Sequence, residues 1–252
     1  MSNTVLTELQ GTTHIITINR PEARNAVNPE TAAALKRALE AGETAPDVRV
    51  QILTGAKGNF CAGADLKAVA GQANYESRAP MGPSWLNLSK PTIAAVEGCA
   101  VAGGLELSIM CDLRVAARGS YFGVFCRRWG VPLIDGGTVR LPRLIGQSRA
   151  MDMILTGRPV DAEEALSFGL ANRVVADGDA LSAALELAEE LATFPQVCMR
   201  SDRRSALEQW SLPIAEALEN EAQVGAEAFE AAVTGAQRFT DGKGRGGDFS
   251  DI

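Results

Sequence analysis

Apolar and polar residues alternate along TVLTELQGTTHIITINR (residues 4–20), with Gln10-Gly11 interrupting them. That pattern predicts two strands around a turn. The spacing becomes helical in NPETAAALKRALEAGE (residues 28–43), where Asn28 suits the N-cap and Pro29 the first helical position. VRVQILTG predicts a strand over Val48 to Thr54, and TIAAVEG predicts another, followed by a helix in VAGGLELSIMCD (residues 101–112). DLRVAA and YFGV read as short strands. Strands alternating with helices predict an α/β fold. Gly71 to Ser84 is polar, rich in Gly and Pro and without period, and is expected to be a mobile loop. Composition shifts near Phe194-Pro195, after which Ala/Glu-rich helical segments follow. The clearest is SLPIAEALENEAQVGAEAFEAAV, two Gly-containing breaks interrupt the last of these segments, and the tail DGKGRGGDFSDI is expected to be loose. The division expected is a core over residues 1–194 and a helical region over 195–252.

The chain has 252 residues, 46% of them hydrophobic, enough for one substantial core. A formal net charge of −7 argues against a nucleic-acid or general polyanion binder. The five cysteines are an odd number without a C-x-x-C pair, which reads as reduced thiols in a cytoplasmic protein. The start lacks the basic and apolar blocks of a signal peptide, and no apolar run reaches membrane-spanning length, so no membrane partner is expected. The single histidine, His14, lies in a strand-like segment, which argues against a Ser-His-Asp site and against a multi-histidine metal site.

Two glycine corners carry candidate chemistry. FCAGADLK (residues 60–67) and CAVAGGLEL (residues 99–107) each place small residues where a strand becomes a helix. The first amides of a helix have no internal partner and carry the positive end of its dipole. Two such amides converging on one oxygen make an oxyanion hole, whereas the plainer role of these glycines is tight turning and close packing. Glu106 sits in the apolar run after the second corner. An unpaired buried charge is costly, so it is either an acid/base group or a carboxylate held locally, by an amide or by Arg114.

NFCAGADLK (residues 59–67), with RPEARNAVN (residues 20–28), AVEGCAVAGGLELSIMCDLRVAA (residues 95–117), YFGV (residues 121–124), GVPLIDGGTVRLPRLIG (residues 130–146) and MILTGRPVDAEEALSFGLANRVV (residues 153–175), resembles the crotonase (enoyl-CoA hydratase/isomerase) superfamily. They run in the family's order over about three quarters of the chain. The resemblance implies an α/β spiral of ββα units with a C-terminal helical region used in trimer contacts, as a homotrimer or a dimer of trimers. It implies an acyl-CoA thioester substrate and no cofactor beyond the coenzyme A that the substrate carries. The thioester oxygen would sit between the backbone amides of Ala64 and Gly103, which would stabilise an enolate. Glu106 matches one of two acid/base glutamates of the family's hydratases. Arg24 and Lys67 would lie near the nucleotide end of CoA, with Ala62, Asp65, Leu66 and Gly104 along the substrate.

The pattern breaks at the second glutamate, where Cys126 stands. A thiol with an ordinary pKa near about 8.5 does not replace a water-activating carboxylate. Three accounts follow. Glu106 acts alone with water placed by another group, giving slow hydration. Asp135 supplies the missing carboxylate, favouring a shift of the double bond, unless it is only a turn residue before Gly136-Gly137. Or Cys126 is a nucleophile with its thiol acidified by Arg127 and Arg128, against its plainer role as a small buried residue. The same two arginines either lie on a solvated turn or pair with an acidic acyl group. GKGRGG lacks the spacing of a nucleotide-triphosphate loop. Hydration of an enoyl-CoA is the leading expectation. Isomerisation, thioester hydrolysis, decarboxylation and a non-catalytic acyl-CoA-binding role are the alternatives.

Overall fold

The computed structural model describes residues 4–70, 79–244 and 246. Contacts divide it into two compact units, Met1–Ala188 and Glu189–Ile252. In the first, β1 (Val5–Gln10) pairs antiparallel with β2 (Thr13–Ile18) across the Gly11 turn. Helix α1 (Pro29–Thr44) begins as expected, with Asn28 Oδ1 accepting from the Thr31 N–H at 2.9 Å. Strand β3 (Val50–Gly55) starts two residues later than the apolar pattern suggests. Val48 is instead drawn into a turn by its N–H bond to the Ala45 carbonyl.

The remaining elements of this unit are α2 (Leu66–Ala70), β4 (Thr92–Val96), β5 (Cys99–Val101), α3 (Gly103–Met110), β6 (Leu113–Ala117), β7 (Tyr121–Gly123), α4 (Gly137–Ile145), α5 (Gln147–Thr156), β8 (Val160–Asp161), α6 (Ala162–Phe168) and β9 (Arg173–Val175). Helix α7 (Ala180–Thr193) follows, and the division between the units falls within it. The large sheet runs β1-β2-β3-β4-β6-β9 and is parallel from β2 onward. Strand β4 is buried throughout and β3 nearly so, as central parallel strands covered on both faces must be. A small sheet runs β5-β7-β8, and Cys61 joins its edge through a parallel bridge to Ala100.

The chain therefore winds repeatedly from large sheet to small sheet to helix. It passes from β3 through Cys61 to α2, from β4 through β5 to α3, and from β6 through β7 to α4. These are the ββα turns of the expected spiral. Between them lies an apolar core that includes Ile16, Leu35, Leu53, Phe60, Leu105 and Phe122.

The second unit contains α8 (Gln196–Glu208), α9 (Ile214–Ala226) and α10 (Phe229–Thr240). Only one of the two expected glycine breaks exists. The chain leaves the helix after Gly225-Ala226, whereas Gly235 is carried inside α10. A single glycine in an exposed helix costs about 1 kcal/mol, too little to end it alone. Of the loop expected over Gly71 to Ser84, residues 71–78 lie outside the described residues, as do 245 and 247–252 of the tail. Ala79 to Ser84 is held in place: the Gly82 N–H bonds the Ala79 carbonyl, and Met81 and Ser84 both reach Asp135. No helix among the described residues is long and apolar enough to cross a membrane.

Candidate active site

The small sheet brings the two glycine corners together. Cys61 pairs with Ala100, so Ala64 and Gly103 stand at the same register, three residues beyond the bridge on neighbouring segments. Gly63 has φ +95°, and a Cβ there would stand 3.0 Å from the Gly103 nitrogen and 2.9 Å from the Ala102 Cβ. Gly104 packs against the Cys61 carbonyl so closely that a side chain would collide with it. Ala102 adopts φ 54°, ψ −123°, a conformation rarely open to a residue with a Cβ. Its ψ sets the plane of the Ala102–Gly103 peptide, and its N–H is fixed on the Gly123 carbonyl at 2.8 Å. Gly103 opens α3, so its N–H has no acceptor inside the helix. Among the described residues neither the Gly103 N–H nor the Ala64 N–H has a hydrogen-bond acceptor.

The RPEARNAVN segment builds this corner. Val27 pairs with Ala64 in a parallel bridge: its N–H bonds the Gly63 carbonyl and its carbonyl accepts from Asp65 N–H. Asn25 is fully buried and ties the segment down, donating to the Ala56 and Asn59 carbonyls at 2.9 and 2.6 Å. Arg20 pairs with Asp65 at 2.9 Å and donates to the Ala26 carbonyl. Burial opposes the Asp65 charge, but the Arg20 guanidinium and the Lys67 N–H hold its carboxyl below the ordinary range. Asp65 and Arg20 thus brace the first corner. Ala62 belongs to it too, its N–H on the Arg24 carbonyl at 3.0 Å.

Glu106 follows one turn into α3 and is only 2% exposed. Its Oε1 accepts from the backbone N–H groups of Asp135 and Gly137, at 2.9 and 2.8 Å. It does not pair with Arg114, whose guanidinium turns away to the carbonyls of Leu170, Ser108 and Cys111. Burial pushes Glu106 up to about 7, assisted by the nearby Asp135 charge and opposed chiefly by the Gly137 N–H. Asp135 is also 2% exposed. Its Oδ1 accepts from the Met81 N–H at 3.1 Å and from the Ser84 hydroxyl, and burial raises its pKa. Among the described residues, Glu106 Oε2 and Asp135 Oδ2 have no hydrogen-bond partner.

A cavity of about 80 Å³ is lined by Ala64, Gly103, Glu106, Cys126 and Asp135, with Leu66, Phe125, Trp129 and Ile134 among its apolar walls. Five residues singled out for chemistry therefore share one space. Burial, then the Glu106 charge, raises the Cys126 pKa, and Arg127 does not reverse this. The thiol is held protonated, which removes the acidified thiolate that a nucleophilic role requires. Neither arginine beside it lines the cavity. Arg127 donates to the Ile154 carbonyl at 3.0 Å, and Arg128 stacks over the Phe125 ring. A second cavity of about 460 Å³ shares Ala64 and Pro80 with the first and runs along α1 and α2. Lys36 lines it, whereas Arg24 and Lys67 are exposed outside both cavities. Reading the sequence missed Lys36, Met81, Ser84 and Arg140. All four reach the site region through tertiary contacts, and only the Gly-Gly-Thr-Val-Arg run carried any local mark of Arg140.

The fold and site define an α/β spiral with two backbone amides and two buried carboxylates around one apolar cavity. The enoyl-CoA hydratase/isomerase family matches residues 8–244, and the chain belongs to that enzyme family. It is 40% identical to Enoyl-CoA hydratase EchA19 of Mycobacterium tuberculosis over 233 residues, 89% of this chain and 88% of that one. It is 37% identical to (E)-benzylidenesuccinyl-CoA hydratase of Thauera aromatica, covering 79% of this chain and 80% of the relative. The crystal structure of enoyl-CoA hydratase EchA1 from Mycobacterium marinum superposes with a TM-score of 0.90 at 37% identity, over 95% of this chain and 96% of that one.

Proposed function

We propose that the protein adds water across the double bond of an enoyl-CoA, with Ala64 and Gly103 as the oxyanion donors and Glu106 as the acid/base group. The observation carrying this reading is the pair of unpartnered N–H groups at matched register, lining one cavity with Glu106. The thioester oxygen takes the position between the two amides, and each such donor is worth roughly 3–4 kcal/mol as charge develops. Water held by Glu106 adds its oxygen to Cβ and gives a proton to the carboxylate. Electron density moves through Cα into the thioester carbonyl, and the enolate collapses by taking that proton at Cα. One carboxylate can serve both transfers because its proton affinity lies near neutrality. Cys126 then serves as a small wall of the cavity.

Double-bond migration is the second reading, favoured by Asp135 lining the same cavity. Incubation with crotonyl-CoA and with a 3-enoyl-CoA in deuterated water separates the two. Hydroxyacyl-CoA from crotonyl-CoA is expected. A deuterated 2-enoyl-CoA from the 3-enoyl substrate without hydration would replace the first reading by the second. The apolar walls and the engagement of Arg127 and Arg128 elsewhere favour an uncharged acyl group.

A further inference from the structure

The two carboxylates do not hold themselves in place. Glu106 rests on the N–H groups of Asp135 and Gly137, so its position depends on the turn from Asp135 to Gly137. That turn is tied at its carbonyl side by Arg140, one turn into α4, whose Nη1 donates to the Asp135 carbonyl at 3.0 Å. The other nitrogen, Nη2, donates to the Ser84 carbonyl at 2.7 Å. Ser84 in turn gives its hydroxyl to Asp135 Oδ1. One guanidinium thus joins two segments, around Ser84 and Asp135, that are 51 residues apart in sequence. No carboxylate forms an ion pair with it among the described residues.

Resting on the reading of Glu106 as the acid/base group, we propose that Arg140 is a positioning residue for that carboxylate: it fixes the turn whose amides hold Glu106 and places a permanent positive charge beside both carboxylates. A guanidinium suits both tasks, since its rigid planar fork presents separate nitrogens to two carbonyls in fixed geometry and its charge persists at any working pH. The charged or titratable groups around Glu106 are Asp135 on the turn, Cys126 beyond β7 and Arg140 on α4. Arg140 alone among them favours the ionised carboxylate. Removing it leaves Glu106 facing Asp135 with no compensating cation.

The test titrates the Glu106 carboxyl by carbon NMR in protein labelled at glutamate, with E106Q identifying the signal, and measures the pH profile of crotonyl-CoA hydration. R140Q is expected to raise the Glu106 midpoint by about one unit, a tenfold rise in proton affinity. Its kcat at pH 7 should fall at least tenfold while KM stays within threefold. R140K keeps the charge but loses the two-carbonyl fork, so its midpoint should stay near that of the wild type while kcat falls. It serves as the test if R140Q does not fold. A folded R140Q with unchanged midpoint and kcat would overturn the proposal, as would an R140K indistinguishable from the wild type in kcat. Failure of the underlying reading shows separately, as an E106Q variant that hydrates at the wild-type rate.

Discussion

Glu106 poses the main problem at the scale of the residue. It lies in an apolar helix and is 2% exposed, yet two backbone N–H groups donate to one of its oxygens. Those bonds are too few to restore the ordinary acidity of a carboxyl in water, and burial prevails. A group poised near 7 can take a proton and return it at neutral pH. Hydration should therefore rise with pH through an apparent pKa near 7, because the ionised form receives the proton of water. E106Q should lose that limb and lower kcat by about 100-fold or more, within the range usual for an acid/base group. Acyl-CoA binding, measured by calorimetry, should change little. Cys126 is the contrasting case. Its neighbours are basic in sequence, but burial and the Glu106 charge keep the thiol protonated.

At the scale of the element, the site is made by two corners that the small sheet aligns. The strand-glycine-helix pattern was visible in both segments, and so was the Asn28 cap, because turns and caps depend on neighbours in sequence. Residue spacing alone does not show their meeting, which only the family resemblance implies, since the Cys61 to Ala100 bridge is a single long-range pair without a strand of its own on one side. The same holds for RPEARNAVN. The resemblance singles out Arg24 in this segment, and the structure adds Asn25, Val27 and Arg20, which lock the first corner. Gly104→Ala tests the alignment. Its methyl would collide with the Cys61 carbonyl, a backbone atom that cannot swing aside. We expect the variant to lose about 1–3 kcal/mol of stability, as overpacked sites do, read by urea unfolding. It should also bind acyl-CoA more weakly, since the corners must part.

The whole molecule holds a carboxyl that is easier to protonate folded than unfolded. Taking 4.5 for the unfolded chain and about 7 for the folded one, the folded state binds more protons between these values. Stability from this group is therefore full below about pH 4.5 and lost as pH rises through 7, amounting to about 3 kcal/mol. E106Q removes the dependence. The stability of E106Q relative to the wild type should rise by about that amount between pH 4 and pH 8, measured by urea unfolding at each pH. An unchanged difference would mean that Glu106 titrates at an ordinary value.

The α/β alternation, the two corners, the Asn28-capped helix and the family are legible in the residue string, because each is written in local spacing or in contiguous motifs. The same string also picked out the cavity residues Ala64, Gly103, Glu106, Cys126 and Asp135. How they are held follows from packing between distant segments. Glu106 rests on amides 29 and 31 residues away, and Asp135 on Met81 and Ser84, 54 and 51 residues away. Arg140 spans two of these segments, and Arg127 and Arg128 turn away from the cavity. Burial and hydrogen bonding between distant segments depend on how the sheets pair. That pairing sets the proton affinity of a carboxyl, while its place in a motif does not.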